Sequence, residues 1–210
     1  MKIIFLGAPG VGKGTQAEIV SERLGIPTIS TGAIIRSAIK DGTKMGLEAK
    51  KFIEHGALVP DDIVIEIVKE RLAESDCDKG YILDGFPRSV PQAQALDEMG
   101  IKLDKVLSIE VSDEDIIERM SGRRVCPSCG KGYHVEHLPS AKGEDCEVCG
   151  TKIVTRADDD PKVVRSRLEV YHSTTEPLKD FYREKGILAE INGVGTVEEV
   201  TKSTFEALGI

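Results

Sequence analysis

No stretch of this chain approaches the roughly 20 consecutive apolar residues that a bilayer-spanning helix needs. The opening MKIIFLGAPG has one lysine and a short apolar run, but it lacks the longer apolar core and small-residue cleavage site of a secretory leader. A cytoplasmic location and no membrane partner are the expectation. Proline is sparse, nine in 210 residues, while 40% of the residues are apolar and 30% charged. That mixture argues against disorder and fits a globular chain with one main domain and room for one or two small insertions. An excess of positive charge is also missing. At a formal net charge of -8, a general nucleic-acid binder is disfavoured, because polyanion binding is driven by counterion release to Lys and Arg. Repeats and low-complexity tracts are absent.

Cysteine is present in a telling arrangement. Four of the five form Cys126-x2-Cys129-x16-Cys146-x2-Cys149, the spacing of a four-thiolate tetrahedral zinc site in a reducing compartment. With all four positions filled by thiolates no open coordination site remains, so the metal is expected to be structural Zn2+. Free thiols or two disulfides are the alternative. His134 and His137 could compete as ligands, but they read better as a supporting group behind the metal and a surface residue. Cys77 is left over and reads as a small half-buried apolar residue.

Hydrophobic periodicity organises the rest. Lys2 to Leu6 is a short apolar run ended by glycines, as a buried strand would be, and Thr15 to Leu24 has helical spacing. Gly80 to Asp84, Lys105 to Val111 and Gly186 to Ile191 each precede a loop and then a helical pattern. Such alternation predicts a parallel sheet with helices on both faces and ligands at the carboxyl ends of the strands. Thr31 to Asp61 holds helical pieces and no strong strand. From Gly122 to about Asp159 glycines, prolines and cysteines interrupt short β-like pieces, Gly132 to Val135 and Lys152 to Thr155 among them. Beyond it Asp160 is placed to cap a helix starting at Pro161, with Val164, Leu168 and Tyr171 on its apolar face.

Gly7-Ala8-Pro9-Gly10-Val11-Gly12-Lys13-Gly14-Thr15 follows the first strand and opens the first helix. Its glycines let backbone N–H groups turn inward, the helix adds the positive end of its dipole, and Lys13 supplies a mobile charge for terminal phosphates. This is a P-loop. A general P-loop carries Ser or Thr directly after its lysine, whereas this chain has Gly14 and then Thr15. The form Gly-x-Pro-Gly-x-Gly-Lys-Gly-Thr resembles the adenylate kinases. Asp84-Gly85-Phe86-Pro87-Arg88, which ends the strand Tyr81 to Asp84, is similar to the signature of nucleoside-monophosphate kinases. Read alone, Asp-Gly is a turn and Arg88 a surface charge; after a P-loop, Asp84 is suited to hold Mg2+ through its water shell and Arg88 to fork onto a transferring phosphate.

The resemblance runs over nearly the whole chain, with motifs in order. It implies an α/β fold, a P-loop doubly wound parallel five-stranded sheet with helices on both faces, formed by residues 1–29, 60–121 and 160–210. It further implies a helical insertion for the nucleoside monophosphate over 30–59 and a small zinc-ribbon-like β lid over 122–159. The implied reaction is reversible, Mg2+-dependent transfer from ATP to AMP giving two ADP, direct and without a covalent intermediate. ATP contacts carried over are Gly10, Val11, Gly12, Lys13, Gly14, Thr15, Arg119, Arg123, Gly132, Tyr133 and Gly195. For AMP they are Thr31, Arg36, Ala57, Leu58, Val59, Gly85, Phe86, Pro87, Arg88, Gln92, Arg156 and Arg167, with Gln92 reading adenine. Ala33 stands where the family has Asp.

Lys13, Arg88, Arg123, Arg156 and Arg167 are the implied electrostatic catalysts, with Asp84 beside them. Taken one at a time, Arg36, Arg119, Arg123, Arg124, Arg156 and Arg167 read equally well as solvated helix arginines; their clustering in an acidic protein favours the site. Asp158 and Asp159 either orient an arginine or are turn residues. The segment from Gly122 to Asp159 carries as many acidic as basic side chains, which suits a lid over nucleotides better than a zinc ribbon on nucleic acid. Closure of that lid excludes water, a motion of which adenylate kinase lids are a standing example. A GTP- or UMP/CMP-preferring kinase remains the enzymatic alternative, since a P-loop reads phosphates rather than bases. The resemblance also implies a monomer whose partners are ATP, AMP and ADP.

Overall fold

The computed structural model describes residues 1–210. Five parallel strands form the central sheet: β1 (Lys2–Leu6), β2 (Thr28–Ser30), β3 (Tyr81–Asp84), β4 (Lys105–Glu110) and, following β5 (Arg123–Val125) and β6 (Gly132–His134) of the cysteine segment, β7 (Leu188–Asn192). Their order is β2-β3-β1-β4-β7. Register places Phe5 opposite Asp84 and Leu107, so β1 is central and its carboxyl end lies beside those of β3 and β4. Residues alternate strictly along it. Ile3 and Phe5 enter one apolar cluster, while Ile4 and Leu6 enter the other. Both faces of the sheet are therefore buried at its centre, which is why β1 and β3 read as nearly unbroken apolar runs.

Helices cover both faces. On one lie α1 (Lys13–Leu24), α7 (Pro161–Val170) and α9 (Val197–Leu208), whose Ala17, Val20, Val164, Leu168, Val200 and Leu208 join Ile3 and Phe5. On the other lie α4 (Asp61–Leu72), α5 (Val90–Glu98) and α8 (Leu178–Glu184), whose Val64, Val68, Ala93, Leu96, Leu178 and Tyr182 join Ile4 and Leu6. Caps fix where several of them begin. Ser89 Oγ accepts the Gln92 N–H ahead of α5, Asp160 accepts the Lys162 N–H ahead of α7, and Thr196 with Glu199 closes a reciprocal capping box on α9.

The four strands expected from periodicity are present within a residue or two. The fifth, β2, has only three residues after Pro27, too few to show a period; Ile29 anchors it in the core. Residues 31–61 hold α2 (Thr31–Lys40) and α3 (Lys44–Ile53), as the helical pattern there indicates.

Helix α6 (Asp113–Gly122) runs directly into β5 (Arg123–Val125), which pairs antiparallel with β6 (Gly132–His134). Isolated bridges tie Val154 to Val125 and Lys152 to Asp145. This unit's own buried cluster consists of Cys126, Tyr133 and Cys146, with Ile153 packed against it. So small an apolar core cannot hold a fold by itself.

Candidate active site

Helix α1 starts without a side-chain cap and without an acidic residue in its first turn; Gly12, its N-cap, is left-handed at φ 98°. The amides of that turn thus have no anion of the protein's own to answer, unlike those of α6, where Ser112 caps and three acids follow. Lys13 folds back over the loop and donates to the carbonyls of Gly7 and Ala8, each at 2.7 Å. Burial pulls its ammonium down to about 7; Asp84 opposes that shift, and Arg88, Arg167 and Arg123 reinforce it.

Two cavities open at this end of the sheet. The larger is lined by the whole P-loop from Pro9 to Thr15 together with Asp84, Arg119, Arg123, Gly132, Tyr133 and Gly195. The other is lined by Thr31, Ala57, Leu58, Val59, Pro87 and Gln92, among others. Lys13, Arg36, Gly85, Arg88, Arg156 and Arg167 belong to both walls. The arrangement is two chambers joined through a cationic partition. Every residue carried over for ATP lines the larger chamber, and every one carried over for AMP lines the other except Phe86. Phe86 is fully buried in the core, and its peptide bond to Pro87 is cis.

The partition is built tightly. Gly85 has φ 78°, and a Cβ there would sit 2.8 Å from Arg88 Nη2 and 3.3 Å from Thr31 Oγ1; only glycine provides both the backbone angle and the space. Thr31 Oγ1 and Arg88 Nε both donate to the Gly85 carbonyl at 2.8 Å. The Arg88 backbone is held on both sides, its N–H donating to Gln92 Oε1 at 2.7 Å and its carbonyl accepting from Thr175 Oγ1 at 2.7 Å.

Two carboxylates hold Arg156, Arg167 and Arg123. Asp158 takes Arg156 through Nε and Nη2 at 2.9 and 2.6 Å, and Arg167 Nη1 at 2.9 Å. Burial would raise its carboxyl, but Arg156 and Arg167 outweigh that and hold it well below the usual carboxylate range. Asp159, whose side chain is wholly buried, pairs with both forks of Arg123. Burial lowers Arg88, and lowers Arg167 to about 10, as expected for guanidiniums gathered out of water with too few partners. So much unbalanced positive charge calls for an anionic ligand.

Arg119 leaves its helix to donate to the Gly193 carbonyl at 3.0 Å, beside Gly195. His134 supports it from below rather than standing behind the cysteines: Nε2 meets the Arg119 carbonyl at 3.0 Å, while Nδ1 accepts the N–H groups of Glu136 and His137. The group beside the cysteines is Tyr133, whose hydroxyl lies 3.2 Å from Cys146 Sγ and accepts the Glu147 N–H. His137 is exposed and stacks on His134. Arg124 turns to the carbonyls of Ser121 and Arg123. Lys131 reaches Glu18 of α1 at 2.9 Å, and Lys40 reaches the Pro127 carbonyl at 3.2 Å, so the cysteine unit rests on both sides of the cleft.

The sulfurs of Cys126, Cys129, Cys146 and Cys149 lie within 4.8 Å of one another. Cys126 to Cys149 is 3.4 Å and Cys129 to Cys146 3.5 Å. A disulfide needs about 2.05 Å, whereas thiolates about 2.3 Å from a tetrahedral zinc stand about 3.8 Å apart. The donor set and spacing fit zinc. Cys77 is buried and receives Arg71 Nη1 at 3.1 Å.

The adenylate kinase family model matches residues 5–187 of the chain. The chain belongs to the adenylate kinase family. Adenylate kinases from Caldicellulosiruptor bescii and Ruminiclostridium cellulolyticum are 53% and 51% identical to it, each over 100% of both chains. That of Thermodesulfovibrio yellowstonii is 49% identical over 97% of this chain and 96% of its own. Membership makes the protein an enzyme of phosphoryl transfer between ATP and AMP. No helix is long and apolar enough to cross a membrane.

The sequence did not single out Asp61, Ser89 or Thr175, although all three bond to Gln92 or Arg88. The one available signal was the Pro60-Asp61-Asp62 helix start, which places a carboxylate directly after the Ala57 to Val59 segment.

Proposed function

We propose that this adenylate kinase binds ATP in the larger chamber and AMP in the other, and transfers the γ-phosphoryl group directly across the partition between them. The observation that carries this reading is the shared wall: Lys13, Arg88, Arg156 and Arg167 border both chambers, so a phosphoryl group passing from one to the other stays among the same cations. Phosphoryl transfer asks little covalent chemistry of a protein and much positioning and charge compensation.

In this mechanism the free amides of the α1 amino terminus take the β-phosphate, and Lys13 exchanges the Gly7 and Ala8 carbonyls for phosphate oxygens. Arg123, Arg156 and Arg167 trade part of their bonding to Asp158 and Asp159 for the transferring group, while Arg88 steadies the acceptor phosphate. Mg2+ brought with ATP would neutralise charge on the β- and γ-oxygens, and Asp84, at the end of β3 beside the P-loop, would hold its water shell. Gly193, Gly195 and Arg119 frame the ATP base; Ala57, Leu58, Val59 and Gln92 receive that of AMP. Ala33 lines the larger chamber and supplies no carboxylate for the AMP side.

Residues 1–29, 60–121 and 160–210 form the core in this reading, 30–59 the monophosphate-binding insertion and 122–159 the lid, with structural zinc on its four cysteines. The enzyme works as a monomer in the cytoplasm. The test is ADP production from ATP and AMP with Mg2+, run against GMP, UMP and CMP as acceptors, with zinc measured on the same sample. Efficient transfer to AMP supports the reading, and a preference for another acceptor or no transfer at all refutes it.

A further inference from the structure

Gln92 is the only side-chain amide lining the AMP chamber, and it is nearly sealed from solvent at 1% exposed. A side-chain amide has two faces to offer. Turned one way it presents an acceptor to an amino group and a donor to a ring nitrogen, and flipped it presents the reverse. Adenine offers the amino group at C6 and an acceptor at N1; hypoxanthine and guanine offer a carbonyl at C6 and a donor at N1. A freely flipping glutamine therefore cannot tell them apart.

The structure removes that freedom. Gln92 Nε2 donates to Asp61 Oδ1 at 2.6 Å, and Gln92 Oε1 accepts the Arg88 N–H at 2.7 Å. A flip would set the amide nitrogen against the Arg88 N–H and the amide oxygen against the Asp61 carboxylate, losing both bonds and creating two like-facing pairs. Asp61 is itself fixed, because Ser89 Oγ donates to its Oδ2 at 2.9 Å while accepting the Gln92 N–H at 3.3 Å. One N–H of the Gln92 amide nitrogen and one lone pair of its oxygen remain for a base in a single fixed order, so the site can answer one of the two base patterns and not both.

Resting on the assignment of this chamber to AMP, we propose that Asp61 is a positioning residue that sets base specificity: by locking the Gln92 amide it makes the acceptor site read a 6-aminopurine and reject a 6-oxopurine. Asp61 does not line the chamber, so it acts on the base through Gln92, with Ser89 Oγ fixing its other oxygen. The same glutamine holds the backbone of Arg88, which ties recognition of the base to the placement of the arginine at the acceptor phosphate.

The test compares kcat/KM for AMP and for IMP at saturating ATP in the wild type, Asp61→Leu and Asp61→Asn. Leucine removes the acceptor; asparagine removes the charge but keeps an oxygen for Gln92 Nε2. The AMP-over-IMP ratio is expected to fall about tenfold in Asp61→Leu, with KM for ATP unchanged, and to stay within about threefold of wild type in Asp61→Asn. A residue that merely favoured the amino end of α4 by its charge would make the two variants alike and leave the ratio untouched, and that result overturns the proposal. In a Gln92→Leu background, Asp61→Leu should change the ratio no further; an additional fall contradicts action through Gln92. If Asp61→Leu does not fold, Ser89→Ala serves, with a smaller fall in the ratio expected and an unchanged ratio counting against the proposal. Wild-type enzyme that makes no ADP from ATP and AMP refutes the AMP assignment itself; wild type that does so, with variants of unaltered ratio, refutes only the role of Asp61.

Discussion

Arg167 donates twice to Asp158 through the same nitrogen, to the carboxylate and to the main-chain carbonyl, each at 2.9 Å. Arg156 shares that carboxylate oxygen at 2.6 Å, so one acid balances two arginines at the partition. Removing it leaves Arg156 without a carboxylate and Arg167 with only Asp159 at 3.7 Å, a loss of about 3 to 5 kcal/mol by analogy with other broken buried pairs. Asp158→Ala should therefore melt well below wild type, and added phosphate or ATP should recover more of the loss than it adds to wild type. Differential scanning calorimetry with and without the anion reads this; equal gains in both proteins would contradict it.

The same carboxylate gives stability a direction in pH. Its folded pKa lies below the unfolded value of about 3.9. Its contribution is thus fully present above that unfolded value and is lost as pH falls toward the folded one. The gap in stability between wild type and Asp158→Asn should stay level from pH 6 to about pH 4.5 and narrow below about pH 4, down to pH 2. Chemical denaturation across that range checks it, and a constant gap argues against the ion pairing.

Lys13 carries a second, opposite-signed prediction. With its ammonium at about 7 in the ligand-free cleft, part of the population is neutral at pH 8, and an incoming polyphosphate favours the charged form. ATP binding at pH 8 should take up protons, measurable by calorimetry in buffers of different ionisation enthalpy. Lys13→Arg, which stays charged, should bind without that uptake, while Lys13→Ala should lose at least about a thousandfold in kcat/KM with its fold intact.

Gly85→Ala puts a methyl at 2.8 Å from Arg88 Nη2 on a backbone at φ 78°. The left-handed angle alone costs about 1 kcal/mol or more. A displaced arginine is the larger functional effect. We expect kcat to fall by about tenfold or more while KM for ATP changes little; a variant with near-normal kcat would show that Arg88 has slack the packing denies.

How much of this the sequence discloses depends on the range of the interaction. Strands β1, β3 and β4 show as apolar runs because both faces of the sheet are buried there, the edge strand β7 shows only through Ile187, Leu188 and Ile191, and the P-loop and the cysteine pairs show because their chemistry is local in sequence. Strand β2 does not, since three residues carry no period. The Asp61, Ser89 and Gln92 network is hidden for another reason: its partners lie 28 and 31 residues apart, and each residue alone looks like a helix start. His134 illustrates a local misreading, for a histidine among cysteines suggests the metal, whereas its ring is spent on the Arg119 carbonyl and its own turn.

The cysteine unit has little apolar core beyond Tyr133 and Ile153 against Cys126 and Cys146, so its order should depend on metal. Cys146→Ser is expected to lose zinc and to raise amide exchange across residues 122–159 while β1 and β4 stay protected. Hydrogen exchange followed by mass spectrometry, with metal analysis, separates the two. Retained zinc with unchanged protection would contradict a metal-dependent lid.

The central claim is direct passage of a phosphoryl group between two chambers that share a wall of cations. ATP made chiral at the γ-phosphorus with oxygen isotopes, transferred to AMP and analysed as ADP, tests it most directly. A single in-line displacement predicts inversion at phosphorus, and retention, the mark of a phosphorylated enzyme between two displacements, would contradict it.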